Sequence, residues 1–337
     1  MMINPTLELF LSTRAAFLKI GLLAVLLTGG AFAQTPSTDY PSRAIKVIVP
    51  QAAGGGTDLI GRRIAQKIGE QLKIGTVVEN KSGAGSLIGT EFVANAPADG
   101  YTLMIGGLFN MVMNKALIKN LSYEPDRDFV PIGYISGYSF VLLARPGLPV
   151  NSMAELVKFA KEQNKPITFG SAGIGTLQHV WGEILLNALG LESIHVPFKG
   201  AAMGYQEMMG ERVDVMFDNM SASKQYILNG KLKGLALSAQ ERSALLPMVP
   251  TINESGITKF TGESWFGVFA PSKTPIATVG KLRQAMVAIN KDPEFIAQVE
   301  KDGGRMINVP INEQQQFLKD EIGKWVGLVQ KNNIKVE

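Results

Sequence analysis

Three glycine-rich segments contain the residues best suited to bind a ligand. They cover residues 54–58 (GGGTD), 83–86 (GAGS) and 170–176 (GSAGIGT), and each lies where a strand is expected to end and a helix to begin. In an open parallel sheet, ligands bind beyond the carboxyl ends of the strands. Helix N-termini there present free N–H groups with partial positive charge, and glycine lets a ligand approach them because it has no Cβ. The segments therefore predict an anion site made mainly of backbone amides, suited to a carboxylate or a phosphate.

A simpler interpretation exists for each segment, because a glycine cluster between a strand and a helix can be only a tight turn. For one segment alone, the turn is the better explanation. Two such segments that face one cleft from separate lobes favour binding instead.

A few charged side chains are candidates for contacts beside these loops. Lys199 is expected where a helix starts near the cleft, although an exposed loop lysine explains it equally well. Asp218 follows a predicted strand at residues 213–217, from which it can contact a ligand hydroxyl, amine or water. It can equally cap the helix that begins near Met220. His195, at a strand edge, is interpreted as a structural histidine.

Motifs for catalysis are missing or poorly placed. The chain has no cysteine and two histidines, which excludes thiolate chemistry and argues against a multi-histidine metal centre. Ser171 and His179 are about two helical turns apart, a poor reach for a general base. Residues 83–89 (GAGSLIG) imitate a dinucleotide fingerprint, but Glu91 and Asp99 are too close to be its ribose-binding acid, expected about 20 residues on. We therefore predict no catalytic residue, no metal and no cofactor.

The N-terminus predicts export. Arg14 and Lys19 precede an uncharged stretch at residues 20–33, which ends in the small-x-small pattern Ala31-Phe32-Ala33. This stretch is shorter than the ~20 residues of a membrane-spanning helix. We predict a signal peptide at residues 1–33, cleaved after Ala33, and a periplasmic mature protein. The alternative, an N-terminal anchor helix, requires residues 15–18 to extend the apolar run through Lys19.

Composition excludes two further classes of protein. With 46% hydrophobic and 18% charged residues among 337, the chain is not a solvated, disordered one. The formal charge of +4 is small, and the basic residues are scattered rather than gathered on one segment. Nucleic-acid binders concentrate such residues, so no nucleic-acid partner is predicted.

The elements that must position these loops alternate between strands and helices. Strands are predicted at residues 44–50, 76–79 and 101–105, with helices at 57–72 and 86–94 between them. The same alternation resumes between residues 167 and 237. Residues 129–144 and 263–271 are strand-like and are interpreted as two crossings between lobes. We therefore predict an α/β fold of mixed, mainly parallel sheets in two lobes, residues 34–134 with 259–337 and residues 135–258.

Ordered motifs along the whole mature chain resemble one receptor family. They include YPSR at residues 40–43, the GGGTD segment, VENKSGAG at 78–85, ADGYTL at 98–103, FGSAG at 169–173 and HVPFKG at 195–200. In these motifs the chain resembles the Bug-type periplasmic substrate-binding proteins of tripartite tricarboxylate transporters. The resemblance implies a type II, Venus-flytrap binding protein that closes around a small organic anion and delivers it to a membrane permease.

The resemblance also implies which residues bind the ligand. Loops matching Ala53 to Asp58 and Ser171 to Thr176 grip a carboxylate in that family. The full predicted set is Ala53, Gly54, Gly55, Gly56, Thr57, Asp58, Gly85, Gly107, Phe109, Ser171, Ala172, Gly173, Gly175, Thr176, Phe198, Lys199 and Asp218.

The ligand classes of the family are di- and tricarboxylates, acidic amino acids and aromatic acids. This sequence has Gln51 where an aromatic residue is common, Gly106-Gly107 where Ser or Thr often follows the strand, and Phe198 for a frequent Tyr. These departures favour a bulkier or aromatic carboxylate. Two alternatives stay open, a sensory receptor for the same ligands and, less favoured, an enzyme that acts on carboxylates.

Overall fold

The computed structural model describes residues 40–54 and 56–334. The predicted signal peptide, residues 1–33, and Gly55 lie outside the described residues. Within the described ranges, none of the helices is both long enough and apolar enough to cross a membrane.

The secondary structure alternates between strands and helices, as the sequence predicts. The strands are β1 (Ile45–Val49), β2 (Thr76–Asn80), β3 (Thr102–Gly107), β4 (Phe129–Ala144), β5 (Ile167–Ser171), β6 (Ser193–Pro197), β7 (Val215–Asn219), β8 (Lys233–Leu237), β9 (Glu263–Pro271) and β10 (Gly304–Met306). The α-helices are α1 (Gly56–Leu72), α2 (Leu87–Ala94), α3 (Asn114–Leu117), α4 (Pro125–Asp128), α5 (Met153–Gln163), α6 (Leu177–Ala188), α7 (Ala201–Met209), α8 (Met220–Leu228), α9 (Ile276–Ile289), α10 (Pro293–Lys301) and α11 (Gln314–Lys331).

All these strands belong to one mixed sheet with the order β2-β1-β3-β9-β4-β7-β5-β6. Parallel pairing is confined to β2-β1-β3 at one end and to β7-β5-β6 at the other. Strand β9 runs antiparallel between β3 and β4, and β8 and β10 both pair with β4. Helices flank the sheet, so the predicted α/β class is confirmed.

Strand β4 joins the two ends of the sheet. Its residues 129–139 pair with β9, whereas its residues 140–144 pair with β7. We call the side with β2, β1, β3, β9 and β10 the first half and the side with β7, β5, β6 and β8 the second half. The register of β4 against β9 shifts twice, and such bulges bend a strand and increase its twist. The lobe boundaries given above stay a prediction.

Aromatic residues fill the core where the chain passes between the halves. Trp181, Trp265 and Trp325 are almost fully buried. The rings of Trp181 on α6 and Trp325 on α11 stack with centroids 4.9 Å apart. Helix α11 is therefore packed against the second half, although its Glu321 also accepts a hydrogen bond from Trp265 Nε1 on β9 of the first half.

The sequence did not predict α3, α4, β10 or two further elements, helix α5 and a π-helical turn. Helix α5 begins after Ser152, whose side chain accepts a hydrogen bond from the N–H of Glu155, as in a capping box. A π-helical turn at Phe109–Met113 continues into α3. The second of these elements supports the candidate site.

Candidate functional site

A cleft of about 620 Å³ lies where strands end and helices begin in both halves of the sheet. Its lining residues are Pro50, Gln51, Ala52, Gly56, Thr57, Ser82, Gly83, Gly85, Ser86, Ile105, Gly107, Leu108, Phe109, Asn110, Phe140, Thr176, Leu177, Gln178, Ala201, Asp218, Asn219, Ser221, Ala222, Ser264 and Phe266.

Five helix N-termini meet at this cleft. Helices α1, α2, α6, α7 and α8 each place a first-turn or capping residue in its lining, namely Gly56, Ser86, Leu177, Ala201 and Ser221. The first N–H groups of a helix have no intrahelical acceptor and carry about +0.5 of a charge. The lining contains no lysine, arginine or histidine and one acid, Asp218. Positive potential in the cleft therefore comes from backbone dipoles rather than from side-chain cations.

The turn before α2 has an unusual backbone. Gly83, Ala84, Gly85 and Ser86 are all in the positive-φ region, with φ of 130°, 45°, 63° and 72°. Alanine and serine adopt this region only at a cost of about 1–2 kcal/mol each, and such strain is common at ligand sites. Consecutive amides in a turn of this kind form a concave anion-binding nest.

Asn114, the first residue of α3, holds this strained turn directly, and Asn110 of the π-helical turn supports it through Thr90, which donates to the Ser86 carbonyl oxygen. Asn114 donates from Nδ2 to the carbonyl oxygen of Gly85, 3.1 Å away, and to the hydroxyl of Tyr123 at 3.0 Å. Asn110 accepts from the N–H of Gly107 at 2.9 Å and donates to Thr90 Oγ1 at 3.0 Å. Both asparagines are buried. The sequence does contain a signal for these two supporting residues, because two asparagines four residues apart interrupt an apolar segment.

Asp58 supports the glycine loop before α1 from behind. Its carboxylate accepts from the N–H of Gly54 at 2.9 Å, from Arg62 Nε at 3.0 Å and from Asn80 Nδ2 at 2.9 Å. These donors, the Gly54 amide first, lower the pKa of Asp58 to about 2. The Gly54 amide is thus already occupied, and it is Gly56 and Thr57 that line the cleft.

The second glycine loop also uses several of its amides internally. Gly173 donates its N–H to Ser171 Oγ at 3.1 Å, and Gly175 donates to His179 Nδ1 at 3.1 Å. Thr176 caps α6, since its hydroxyl accepts from the N–H of His179 and donates to the Gly173 carbonyl. Thr176, Leu177 and Gln178 are the residues that line the cleft.

Behind this loop the two histidines stack on each other. The rings of His179 and His195 have centroids 3.9 Å apart, and the Phe169 ring stacks with both, with centroids 4.8 Å from His195 and 6.4 Å from His179. Burial, together with the neighbouring His179, lowers the pKa of His195 to about 4. His195 Nε2 lies 2.7 Å from Ser171 Oγ. Ser171 therefore pairs with His195 rather than with His179; Ser171 is buried and His195 is half-buried, and both lie outside the lining of the cleft.

Asp218 lies in the floor of the cleft as a buried carboxyl. It accepts from Tyr205 Oη at 2.5 Å, from Gln178 Nε2 at 2.9 Å and from the N–H of Asn219 at 2.6 Å. Burial raises the pKa of Asp218. The capping role falls to Asn219, whose side chain accepts from the N–H of Ser221. Because Gln178 donates to Asp218, its amide oxygen stays available as an acceptor.

The structure brings seven of the predicted residues to the cleft and leaves others behind its walls. Gly56, Thr57, Gly85, Gly107, Phe109, Thr176 and Asp218 line it. Ala53, Gly54, Asp58, Ser171, Ala172, Gly173, Gly175, Phe198 and Lys199 lie outside the lining. Phe198 packs against Gly170 and Gly204, and Lys199 is exposed.

Sequence reasoning missed much of the polar and aromatic lining. The missed side chains include Ser82, Asn110, Gln178, Ser221, Ser264, Phe140 and Phe266. In the described ranges, no cluster of three or more histidine or acidic side chains is arranged to bind a metal ion.

Solved structures of similar fold are periplasmic binding proteins. The structure of periplasmic binding protein BugD is 34% identical, with a TM-score of 0.74 over 88% of this chain and 99% of that one. R. palustris Rpa4515 with adipate is 30% identical, with a TM-score of 0.77 over 88% and 99%. MatC from Rhodopseudomonas palustris with bound malate is 29% identical, with a TM-score of 0.73 over 86% and 100%. The fold is thus that of a periplasmic solute-binding protein.

The sequence comparison identifies the family within this class. Residues 60–334 match the model of the tripartite tricarboxylate transporter family receptor. A UPF0065 protein of Bordetella pertussis is 31% identical over 313 residues, covering 93% of this chain and 96% of that protein. The chain belongs to the family of tripartite tricarboxylate transporter receptors, and the family expected from the sequence motifs is confirmed.

Proposed function

We propose that this receptor binds a small organic carboxylate in the cleft and delivers it to a tripartite tricarboxylate permease. The observation that carries the proposal is the convergence of five helix N-termini on a cleft whose lining has no cationic side chain. Such a site stabilises an anion through backbone amides and helix dipoles. Relatives that are about 30% identical have been solved with adipate and with malate, which supports the same ligand class here.

The lining favours an acid with an apolar body. Leu108, Phe109, Phe140 and Phe266 give the cleft apolar walls. Aromatic and aliphatic walls bind a hydrocarbon chain or ring, while a few polar groups orient it. We therefore propose an aromatic acid or an extended dicarboxylate as ligand.

A tricarboxylate suits the cleft less well, because of its charge. Each further carboxylate needs its own donors, and no lysine or arginine lines the cleft to provide them. Near Asp218 a further negative charge would also meet a buried acid. The Gln178 oxygen and Asp218 are instead suited to a hydroxyl or an amine at the far end of the ligand.

We propose periplasmic location and binding without turnover as parts of the same function. Export follows from the signal peptide predicted at residues 1–33. The one serine–histidine pair in the described ranges, the buried Ser171 with the half-buried His195, lies outside the lining of the cleft, which argues against turnover there.

A thermal-shift screen of organic acids tests the proposal. The panel contains adipate, malate, citrate, benzoate and 4-hydroxybenzoate, each compared with its uncharged amide. An acid at about 100 times its Kd adds about 2.7 kcal/mol to the free energy of unfolding. We expect adipate or an aromatic acid to stabilise the protein, citrate to do so less, and the amides to have no effect. Stabilisation by the amides as strong as by the acids would contradict an anion site.

Delivery to the permease needs a separate assay. Uptake of the radiolabelled acid selected by the screen is measured in cells that lack this chain and in cells that produce it. Restored uptake supports transport. Binding without any effect on uptake would contradict delivery and favour the sensory alternative.

A further inference from the structure

A second and larger cavity lies behind the strands that pass between the halves. It holds about 920 Å³ and is lined by Gly137 and Ser139 of β4, by Glu263 of β9, by residues 239–245, and by residues 300–305 except Asp302. We call it the back cavity. Its walls come from both halves, because residues 239–245 follow β8 and residues 300–305 include the end of α10 and part of β10.

The cleft and the back cavity lie on opposite faces of the same strands. In β4, Ser139 lines the back cavity and the next residue, Phe140, lines the cleft. In β9, Glu263 lines the back cavity, and Ser264 and Phe266 line the cleft. Successive side chains of a strand point to opposite faces. A single layer of backbone therefore separates the two cavities.

The start of α8 shows the same separation. Met220 lines the back cavity, while its neighbours Asn219 and Ser221 line the cleft. Three segments, β4, β9 and the start of α8, thus each present adjacent residues to the two cavities.

Direct contacts join the two halves across the back cavity. Lys224 Nζ on α8 donates to the carbonyl oxygen of Lys301, at the end of α10, at 2.9 Å. Gly303 packs so closely on Met220 that an added Cβ would lie 2.9 Å from Met220 Cε and 3.6 Å from Leu245 Cδ1. Any rotation of one half against the other about the crossing strands must change these contacts.

We propose that the back cavity controls how far the cleft closes and thereby sets its affinity for carboxylates. The inference rests on the proposed function to the extent that a receptor of this kind closes by a hinge motion. With the hinge in the layer between the cavities, the walls of the back cavity separate when the cleft closes and approach when it opens. A group that fills the back cavity therefore disfavours the open state.

The thermodynamic consequence is a change in apparent affinity without any change in the binding site. The apparent Kd equals the intrinsic Kd divided by the populated fraction of the binding-competent state. Raising that fraction in the free protein tightens binding, although no lining residue of the cleft has been altered.

Two tryptophan substitutions from opposite walls test the inference. Ala244→Trp enters the back cavity from the second half, and Ala297→Trp enters it from α10; both alanines are exposed lining residues. Met248→Trp is the matched control, because Met248 is 61% exposed on the same connection and outside the lining. Circular dichroism confirms that each variant is folded, and either cavity variant alone suffices for the test.

The first readout needs no ligand. The chain has no cysteine, so spin labels can be placed on Leu59→Cys and Met203→Cys, two exposed residues in the first turns of α1 and α7 on either side of the cleft. We expect the distance distribution between the labels to shift to shorter values in both cavity variants and to stay unchanged in Met248→Trp. An unchanged or longer distance in a folded cavity variant would overturn the inference.

The second readout is the calorimetric Kd for adipate. We expect a decrease of about fivefold or more in the cavity variants, within the usual range of coupling between sites, and no change in the control. If adipate binds no variant, the result counts against the proposed ligand class, while the spin-label distances still decide the role of the back cavity. Equal Kd values in the parent and in folded cavity variants would refute it.

Discussion

A single charge placed at a helix N-terminus in the cleft should affect stability and affinity in opposite directions. Ala222 is exposed, lines the cleft and occupies the first turn of α8. In Ala222→Asp, the new carboxylate interacts favourably with the dipole of α8, which typically adds about 0.3–1 kcal/mol to stability. The same carboxylate repels an anion in the cleft.

The size of the repulsion follows from the dimensions of the cleft. Because the cleft holds only about 620 Å³, we take a separation of about 8 Å between a bound carboxylate and the new side chain. At an effective dielectric constant of about 40, the repulsion is about 1 kcal/mol, or about a fivefold increase in Kd. Ala222→Lys should lower the Kd by a similar factor and lower stability slightly.

Calorimetric titration at low salt measures the Kd, and chemical denaturation measures stability. Ala222→Asn is the neutral control of matched size. The ratio of the Asp to the Asn Kd should shrink as salt rises, because exposed charges are screened. Equal Kd values for the Asp, Asn and Lys variants at low salt would refute the view that the cleft binds an anion at its helix N-termini.

Three further substitutions address the walls of the site. Asn114→Leu removes the bonds to the Gly85 carbonyl and to Tyr123, so we expect the free energy of unfolding to fall by about 2–3 kcal/mol and the Kd to rise. Asn187→Leu, at an exposed asparagine, is the control and should change neither quantity. An unchanged Kd in Asn114→Leu would show that the turn is not a ligand contact. The pKa of Asp58 is lowered from 3.8 to about 2, so the stability that its carboxylate contributes is present above pH 3.8 and is lost as the pH falls through 2. Asp58→Asn should flatten the dependence of the free energy of unfolding on pH in that window. An unchanged pH dependence would argue against the Gly54 contact. The pKa of His195 is lowered from 6.5 to about 4, so the unfolded chain binds more protons and stability falls as the pH drops from 6.5 towards 4. His195→Phe should reduce that fall, and a steeper fall would contradict a half-buried histidine that stays neutral in the folded protein.

The sequence predicts the scaffold well because the fold depends on local periodicity. Residues 129–144 form one strand with the predicted limits, since sixteen residues rich in β-branched and aromatic side chains contain no helical period. Helix α1 begins and ends within a residue of its prediction, because its apolar positions recur three to four apart. The strand predicted at residues 213–217 lies two residues further on, at Val215–Asn219. Such limits are set by pairing with β4 and β5 rather than by residue type.

The site is predictable only in outline, because glycine loops mark its location but not the partners of each amide. The amides of Gly173 and Gly175 bond to Ser171 and His179, contacts that depend on how α6 and β6 pack. Asp58 likewise faces the loop behind it rather than the cleft. Gln178 lies on α6, which follows β5 of the second half, and Ser264 lies on β9 of the first half, so only the folded arrangement shows that they share a cleft.

The most direct test is a crystal structure with the acid that gives the largest stabilisation in the thermal-shift screen. We expect one carboxylate within hydrogen-bonding distance of backbone N–H groups at the starts of α1, α2 or α6, with its body against Phe109 and Phe266. A ligand whose carboxylate is instead paired with Lys199, or that occupies the back cavity while the cleft holds only solvent, would contradict the account.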